Sequence, residues 1–414
     1  MRSPASAARQ RPTPSPAPPP VWRWLPLVAL LAGLLVLLPR LGIEWQWFAQ
    51  FNAEVVLLRR WLLQLLAFAL VLGLGIPLQM QQLQRSWRLR QSPTPKPLAP
   101  SPLLRLAPLH LVVLMAVLLL LLAGGLTYLL VQARDLIAEP FSGRVITGIP
   151  VLADLPPWLF VGLAAGLLLP LLLWPHTTLR ITLGAALIAS ATALARGWSL
   201  WLPALLASPF GQRDPVVGLD LSFTVLQLPA LHLLVSVVIA QVAVGFAGCL
   251  WLTLSEGTSL TDLRFVGLSR PQQRVLQPQL AVLAAMAALS NLLSPFDLMV
   301  RGSGVAAGAG FVDLHVRLPL RLLLAALLLL TACGLMVPLP RGWLRRVALI
   351  PLATTALLLP VVEWIVAPLV QRLVVQPREL AIEAPYLQRS IRGTRRAFGL
   401  EAVQELKLEP RQEL

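Results

Sequence analysis

Two short stretches place charged side chains in an otherwise apolar chain. Residues 213–223 read RDPVVGLDLSF, and residues 308–319 read GAGFVDLHVRLP. Asp214, Asp220, Asp313 and His315 are residue types that bind a hard cation, since carboxylate oxygens with one imidazole make an oxygen-rich, one-histidine site. The same residues also suit purely structural duties. Asp214-Pro215 and Gly218 favour tight turns, and Asp220 or Ser222 stands where it would cap the following helix. An Asp–His or Asp–Arg hydrogen-bonded loop is the structural counterpart in the second stretch. The expectation is a polar cluster formed by these four residues, with the two loops facing each other. No metal or cofactor is assigned.

A second candidate is Glu363, which lies inside an apolar run about 10 Å from its end at 1.5 Å per residue. An acid at such depth is costly and normally paired or functional. Arg321, three residues into the preceding apolar run from the same side, is the expected partner. His110, His176 and His232 stand alone near the ends of apolar runs and read as interfacial or packed histidines. Cys249 and Cys333 both lie in apolar runs, with no CxxC or Cys/His metal spacing. No HExxH, GxSxG, paired catalytic carboxylates or Gly-rich phosphate loop is present. The chain is therefore read as a non-enzyme.

The elements that carry these residues follow from composition. Of 414 residues, 57% are hydrophobic and 13% charged, against about a quarter charged in an average soluble domain. Nine runs meet the length and polarity of a membrane span: 24–39, 61–79, 106–131, 157–174, 179–195, 230–252, 276–293, 318–339 and 345–370. Most of the 13 tryptophans fall near the ends of these runs, where indole rings anchor. The fold class is thus all-α: a polytopic transmembrane helix bundle of about nine spans, with interfacial helices on the outer side. One such helix is expected in WSLWLPALLASPFG, residues 198–211, with Trp198 and Trp201 as anchors.

The formal charge of +16 invites a nucleic-acid reading, but its distribution argues otherwise. With the N-terminus in the cytoplasm, the cytoplasmic segments hold sixteen basic residues against Glu256 and Asp262, a net +14. The external loops ahead of the C-terminal tail, together with Arg321 at an adjoining span end, hold ten basic and nine acidic residues, a net +1. That asymmetry is the positive-inside pattern, and the cytoplasmic excess faces anionic lipid rather than nucleic acid. Residues 1–20, which include QRPTPSPAPPP, read as a disordered cytoplasmic tail. Residues 21–370 read as the transmembrane domain, its first span an uncleaved anchor. Residues 371–414 read as an extracytoplasmic amphipathic tail. In that tail, residues 385–398 are expected to be helical, with Pro385 in the first turn and Gly399 at the end. Leu387, Ile391, Thr394 and Phe398 share a face of this helix.

Three motifs occur in order: PFGQRDPVVGLDLSF, GAGFVDLHVRLP and VVQPRELAIEAPYLQRSIRGTRRAFGL. Together they resemble the bacterial membrane family numbered 0182 in the uncharacterised protein family series. That pattern is close to DPxFGLDxSFY, GAGYTDVHxxLP and VVxPNELxxExPYIxRNIxxTRxAFGL. Val217, Thr224 and Phe311-Val312 depart from its Phe, Tyr and Tyr-Thr, and Gln376 and Arg378 from its Lys and Asn. The resemblance implies a multi-pass membrane protein of the bacterial cell envelope with no assigned activity. It also implies a seven-span core followed by a large extracytoplasmic domain, with 106–131 and 157–174 as an inserted pair. A membrane platform that docks an extracytoplasmic protein or domain is the expected role. The alternative is a transporter or channel with a polar site at the outer face.

Overall fold

The computed structural model describes residues 21–91, 108–138, 157–214, 216–255, 268–301, 308–336 and 342–403. The Pro-rich segment 10–20, and residues 302–307 of the small-residue run before the second motif, lie outside the described residues. Among the described residues there are helices and no named strand. In chain order the helices are α1 (Val21–Ala49), α2 (Glu54–Gln91), α3 (Pro108–Ala138), α4 (Pro157–Leu173) and α5 (Pro175–Arg196). There follow α6 (Trp198–Leu205), α7 (Leu228–Leu254), α8 (Arg270–Arg301), α9 (Leu318–Met336), α10 (Gly342–Val370) and α11 (Glu379–Ala397).

Seven helices among the described residues are long and apolar enough to cross a membrane. They are α2, α3, α5, α7, α8, α9 and the long helical stretch from Leu352 to Ala397 that contains most of α10 and all of α11. The segments proposed at 24–39 and 157–174 fall on α1 and α4, and α4 has only 17 residues. In such helices every backbone N–H finds a carbonyl in its own segment, the condition for a chain surrounded by hydrocarbon. Their outward faces are aliphatic: Leu65, Leu70, Leu109, Ile181 and Leu357 are all exposed.

The chain divides into two compact units, residues 1–62 and 63–414. In the first, α1 turns into α2 through Asn52, whose φ of 52° is left-handed, a conformation asparagine tolerates better than most residues. Glu44 on α1 is ion-paired with Arg60 on α2 and accepts a 3.3 Å hydrogen bond from the Trp61 indole.

The second unit has its main apolar core where α3, α5 and α7 meet, built from Leu122, Leu129, Leu183, Leu233, Val244 and Trp251. Small residues allow close approach there: a side chain at Gly125 of α3 would collide with Val244 of α7. Two side-chain pairs fix the order of the later helices. His232 near the start of α7 meets Asp297 near the end of α8 at 3.0 Å. Arg321 near the start of α9 meets Glu363 near the end of α10 at 2.9 Å. Each pair joins the beginning of one helix to the end of the next, so α7 runs against α8 and α9 against α10. The segments preceding α7 and α9 and following α10 therefore emerge at one end of the unit.

Three boundaries differ from the sequence expectation. Helix α6 ends at Leu205 rather than continuing towards Gly211. Pro203 already sits inside this short helix, and Gly211 adopts φ +75°, which a helix does not allow. The tail helix starts at Glu379, six residues before the predicted Pro385. Its break lies at Arg378, where φ is −132° and ψ 35°. Pro385 is accommodated inside the helix, where the carbonyl it leaves without a donor belongs to the exposed residue Ala381. The third difference is at 371, the expected start of the tail. The chain there stays helical through a π turn (Gln371–Val375) and a 3-10 turn (Gln376–Arg378).

Candidate functional site

The first motif forms a closed loop between α6 and α7. Asp214 accepts hydrogen bonds at Oδ1 from the N–H groups of Val216, at 2.7 Å, and Val217, at 3.0 Å. Its own N–H donates to the Leu219 carbonyl, and the Gly218 N–H returns to the Asp214 carbonyl. Gly218 closes this turn with φ +75°, a value that favours glycine. Asp220 accepts from Ser222 N–H at 2.8 Å, Phe210 N–H at 3.0 Å and Gly211 N–H at 2.9 Å. The Ser222 bond is that of a helix cap, two residues into the helix. The other two tie the strand-like approach of 210–213 to the cap, and Arg213 and Asp220 form an isolated antiparallel bridge. These donors stabilise the ionised form. The Ser222 backbone and hydroxyl, then the Phe210 and Gly211 amides, hold the Asp220 carboxyl down at about 2.

The second motif is built differently. Asp313, 1% exposed, accepts from the Gly310 N–H at 3.2 Å and from Arg317 one helical turn on at 2.8 Å. His315 Nδ1 lies 3.0 Å from the Phe311 carbonyl, and its ring stacks on Phe311 with centroids 4.3 Å apart. The third motif completes the arrangement. Glu383 of α11, 4% exposed, accepts from the Phe311 N–H at 3.3 Å. Tyr386, nearly one turn further along α11, places its hydroxyl 3.4 Å from His315 Nδ1 and its ring edge-on to both Phe311 and His315. Beneath these polar contacts Val312, Ala367, Val375 and Ile382 pack as one apolar cluster. Gly310 suits this fit, because a β-carbon there would lie 3.2 Å from both carboxylate oxygens of Glu383 and push that side chain back by a few tenths of an ångström.

The hydrogen bonds of the two motifs form separate local networks. Asp214 and Asp220 spend their described hydrogen bonds inside residues 210–222, and those of Asp313 and His315 run to their own turn and to α11. Among the described residues no group of three or more His, Cys, Asp or Glu side chains is placed to hold a metal ion. Arg321 and Glu363 do meet, as their positions suggested, so each charge in that apolar setting is compensated by the other. Sequence reasoning overlooked Glu383 and Tyr386. The signal was there: a carboxylate and a phenol three residues apart on one face of a tail whose arginines drew more notice. It also treated His232 as a packed histidine without a partner, although Asp297 near the end of the next helix was available.

All three motifs carry a π turn beside them, at Phe223–Gln227, Asp313–Arg317 and Gln371–Val375. Such turns are rare in helices and concentrate at functional positions. A family model, described as an uncharacterised protein family (UPF0182), matches residues 21–414. The chain belongs to the UPF0182 family. It is 33% identical over 411 residues to a UPF0182 protein of Prochlorococcus marinus strain MIT 9303, covering 95% of this chain and 40% of that one. It is 32% identical over 412 residues to a UPF0182 protein of Synechococcus elongatus strain PCC 7942, covering 95% of this chain and 42% of the relative. The chain thus spans about two fifths of the length of these curated UPF0182 relatives. No solved structure matches it.

Proposed function

We propose that this UPF0182 chain is the membrane-embedded platform of a bacterial cell-envelope protein and performs no enzymatic reaction. Nine helices cross the plasma membrane in this reading, with α1 and α4 completing the set. The N-terminus is cytoplasmic, and the three motifs and α11 lie outside. The lipid bilayer is one partner. The other is an extracytoplasmic protein or domain mounted on α11, and nucleic acid has no part.

The observation that carries this reading is the attachment of α11 to the second motif through Glu383 and Tyr386. The attachment uses only one face of the helix. Leu380, Ile391 and Phe398 remain exposed on another, at 85%, 52% and 76%. At helical spacing, Leu380, Leu387, Ile391 and Phe398 form one stripe, with Arg389, Arg392 and Arg396 away from it. A helix held rigidly on one side and left apolar on another is suited to receive something, or to lie in the interface. The greater length of the UPF0182 relatives is consistent with a further part for it to carry. A photo-crosslinking residue at Ile391, in native membranes, tests this. Adducts to an extracytoplasmic polypeptide segment are expected, and adducts to lipid alone would leave an interfacial helix with no docking role.

A second reading is a transporter or channel with polar groups near the outer face. The partly buried His232–Asp297 and Arg321–Glu363 pairs favour it, because such groups inside a bundle often line ion pathways. Ion flux through proteoliposomes of the purified chain, abolished by Asp297→Asn, would support this reading against the first.

A further inference from the structure

Helices α2, α5, α7 and α8 bring an uncharged polar layer into the interior of the second unit. Gln241 of α7 donates from Nε2 to Gln79 Oε1 of α2 at 2.8 Å, and Gln79 Nε2 donates back to the Gln241 carbonyl at 3.3 Å. Ser190 of α5 donates to Gln241 Oε1 at 2.7 Å. One turn along α7 is Gly245. A β-carbon there would stand 3.4 Å from Gln79 Nε2 and 3.8 Å from Gln279 Oε1 of α8. Gly245 thus faces a donor and an acceptor with no side chain of its own between them. Gln279 uses its Nε2 on the Val275 carbonyl at 3.2 Å, whereas its Oε1 is buried without a conventional donor. Ser86 Oγ of α2 is likewise buried without a conventional partner. Their common neighbour is the thiol of Cys249, one further turn along α7, which hydrogen-bonds to both only as a weak partner. Gln279, Ser86 and Cys249 are 3%, 1% and 1% exposed.

Amide–amide pairs between helices serve as interhelical glue. Glue accounts for Gln79, Gln241 and Ser190, but not for the two oxygens left without strong donors. A buried acceptor without a donor is costly, and a niche lined by polar groups is where a small molecule satisfies it. Gln79 Nε2 has a second N–H to give. A neutral molecule of water's size in the niche would accept that N–H and donate to Gln279 Oε1. None of the layer's side chains is an acid or a base with full charge at neutral pH, so nothing in it compensates an ion.

We propose that the Gly245 niche, bounded by Gln79, Gln279, Cys249 and Ser86, is a binding site for a small neutral hydrogen-bonding molecule, with water its resting occupant. The assignment is independent of the docking role of α11.

Cys249 is a natural reporter, because a thiol reacts as its thiolate and a thiolate needs a hydrated surrounding. In a Cys333→Ser background the folded protein is treated with neutral methyl methanethiosulfonate and, separately, with its anionic sulfonatoethyl analogue. Modification is read by intact-protein mass spectrometry. The neutral reagent should modify Cys249 in the folded state, and the anionic one roughly ten-fold more slowly, since the site has no compensating charge. Gly245→Ala fits at ordinary contact distances and fills the niche. It should slow the neutral reaction roughly five- to ten-fold, about one hydrogen bond's worth of occupancy, while leaving the thermal midpoint unchanged or raised. Gln279→Leu should slow it similarly. Cys249 that reacts only on unfolding, or a Gly245→Ala rate equal to the parent's, would overturn the site and leave a dry interhelical knot. Should Gly245→Ala fail to fold, an unchanged rate in Gln279→Leu would overturn the site equally.

Discussion

Asp220 shows how one exposed carboxylate organises its surroundings. It is held ionised by the Ser222, Phe210 and Gly211 donors, with its carboxyl lowered from 3.8 to about 2. A depressed folded-state value means that the stabilisation is complete above the unfolded value near 3.8 and disappears as pH falls through about 2. Limited proteolysis of the 208–222 loop should therefore accelerate as pH falls from about 4 to 2, with an acid-active protease as probe. Asp220→Asn should lose that pH response but keep the cap, because asparagine also accepts from the N2 or N3 N–H. Asp220→Ala should open the loop at every pH. Equal behaviour of the two variants at neutral pH would mean that charge, not capping geometry, holds the loop.

At the scale of elements, α11 is attached to the rest of its unit by a few contacts around Glu383. Removing that carboxylate leaves the Phe311 N–H without its acceptor in a mostly buried position, a loss of about 1–3 kcal/mol. Glu383→Ala should loosen the helix without unfolding the apolar core of α3, α5 and α7, which shares no residue with the attachment. Trypsin cleavage after Arg389 and Arg392 should rise roughly ten-fold or more for such a loss. Gly310→Ala should move in the same direction to a smaller degree, since Glu383 must shift from a 3.2 Å approach. Unchanged cleavage in both would show that the Val312–Ile382 apolar cluster alone holds the helix.

For the whole molecule, the side-chain pairs between successive helices put all three motifs at one end of the second unit. The charge split of +14 against +1 proposes which side of the membrane that end faces. In a background without Cys249 and Cys333, cysteine at Ser101 should be shielded from an impermeant thiol reagent in intact cells, and cysteine at Ser142 should react. The opposite pattern would reverse the orientation and place α11 in the cytoplasm, where an extracytoplasmic partner could not reach it.

Helical class and the positions of seven long apolar helices were legible in the residues themselves, because hydrocarbon leaves the backbone few ways to satisfy its hydrogen bonds. The turn at Asp214 and Gly218, the cap at Asp220 and the helix end at Gly399, with φ +66°, were also local matters of a few residues. So was the depth at which Glu363 and Arg321 enter their helices. What the tertiary structure alone decided is who meets whom across the helices. The second motif pairs with the tail, His232 finds Asp297, and Gln79 finds Gln241 across 162 positions of sequence. Periodicity gives each helix a face but not a neighbour. The neighbour is chosen by which small residues permit close approach, and by which buried donors and acceptors can satisfy one another once the helices are packed.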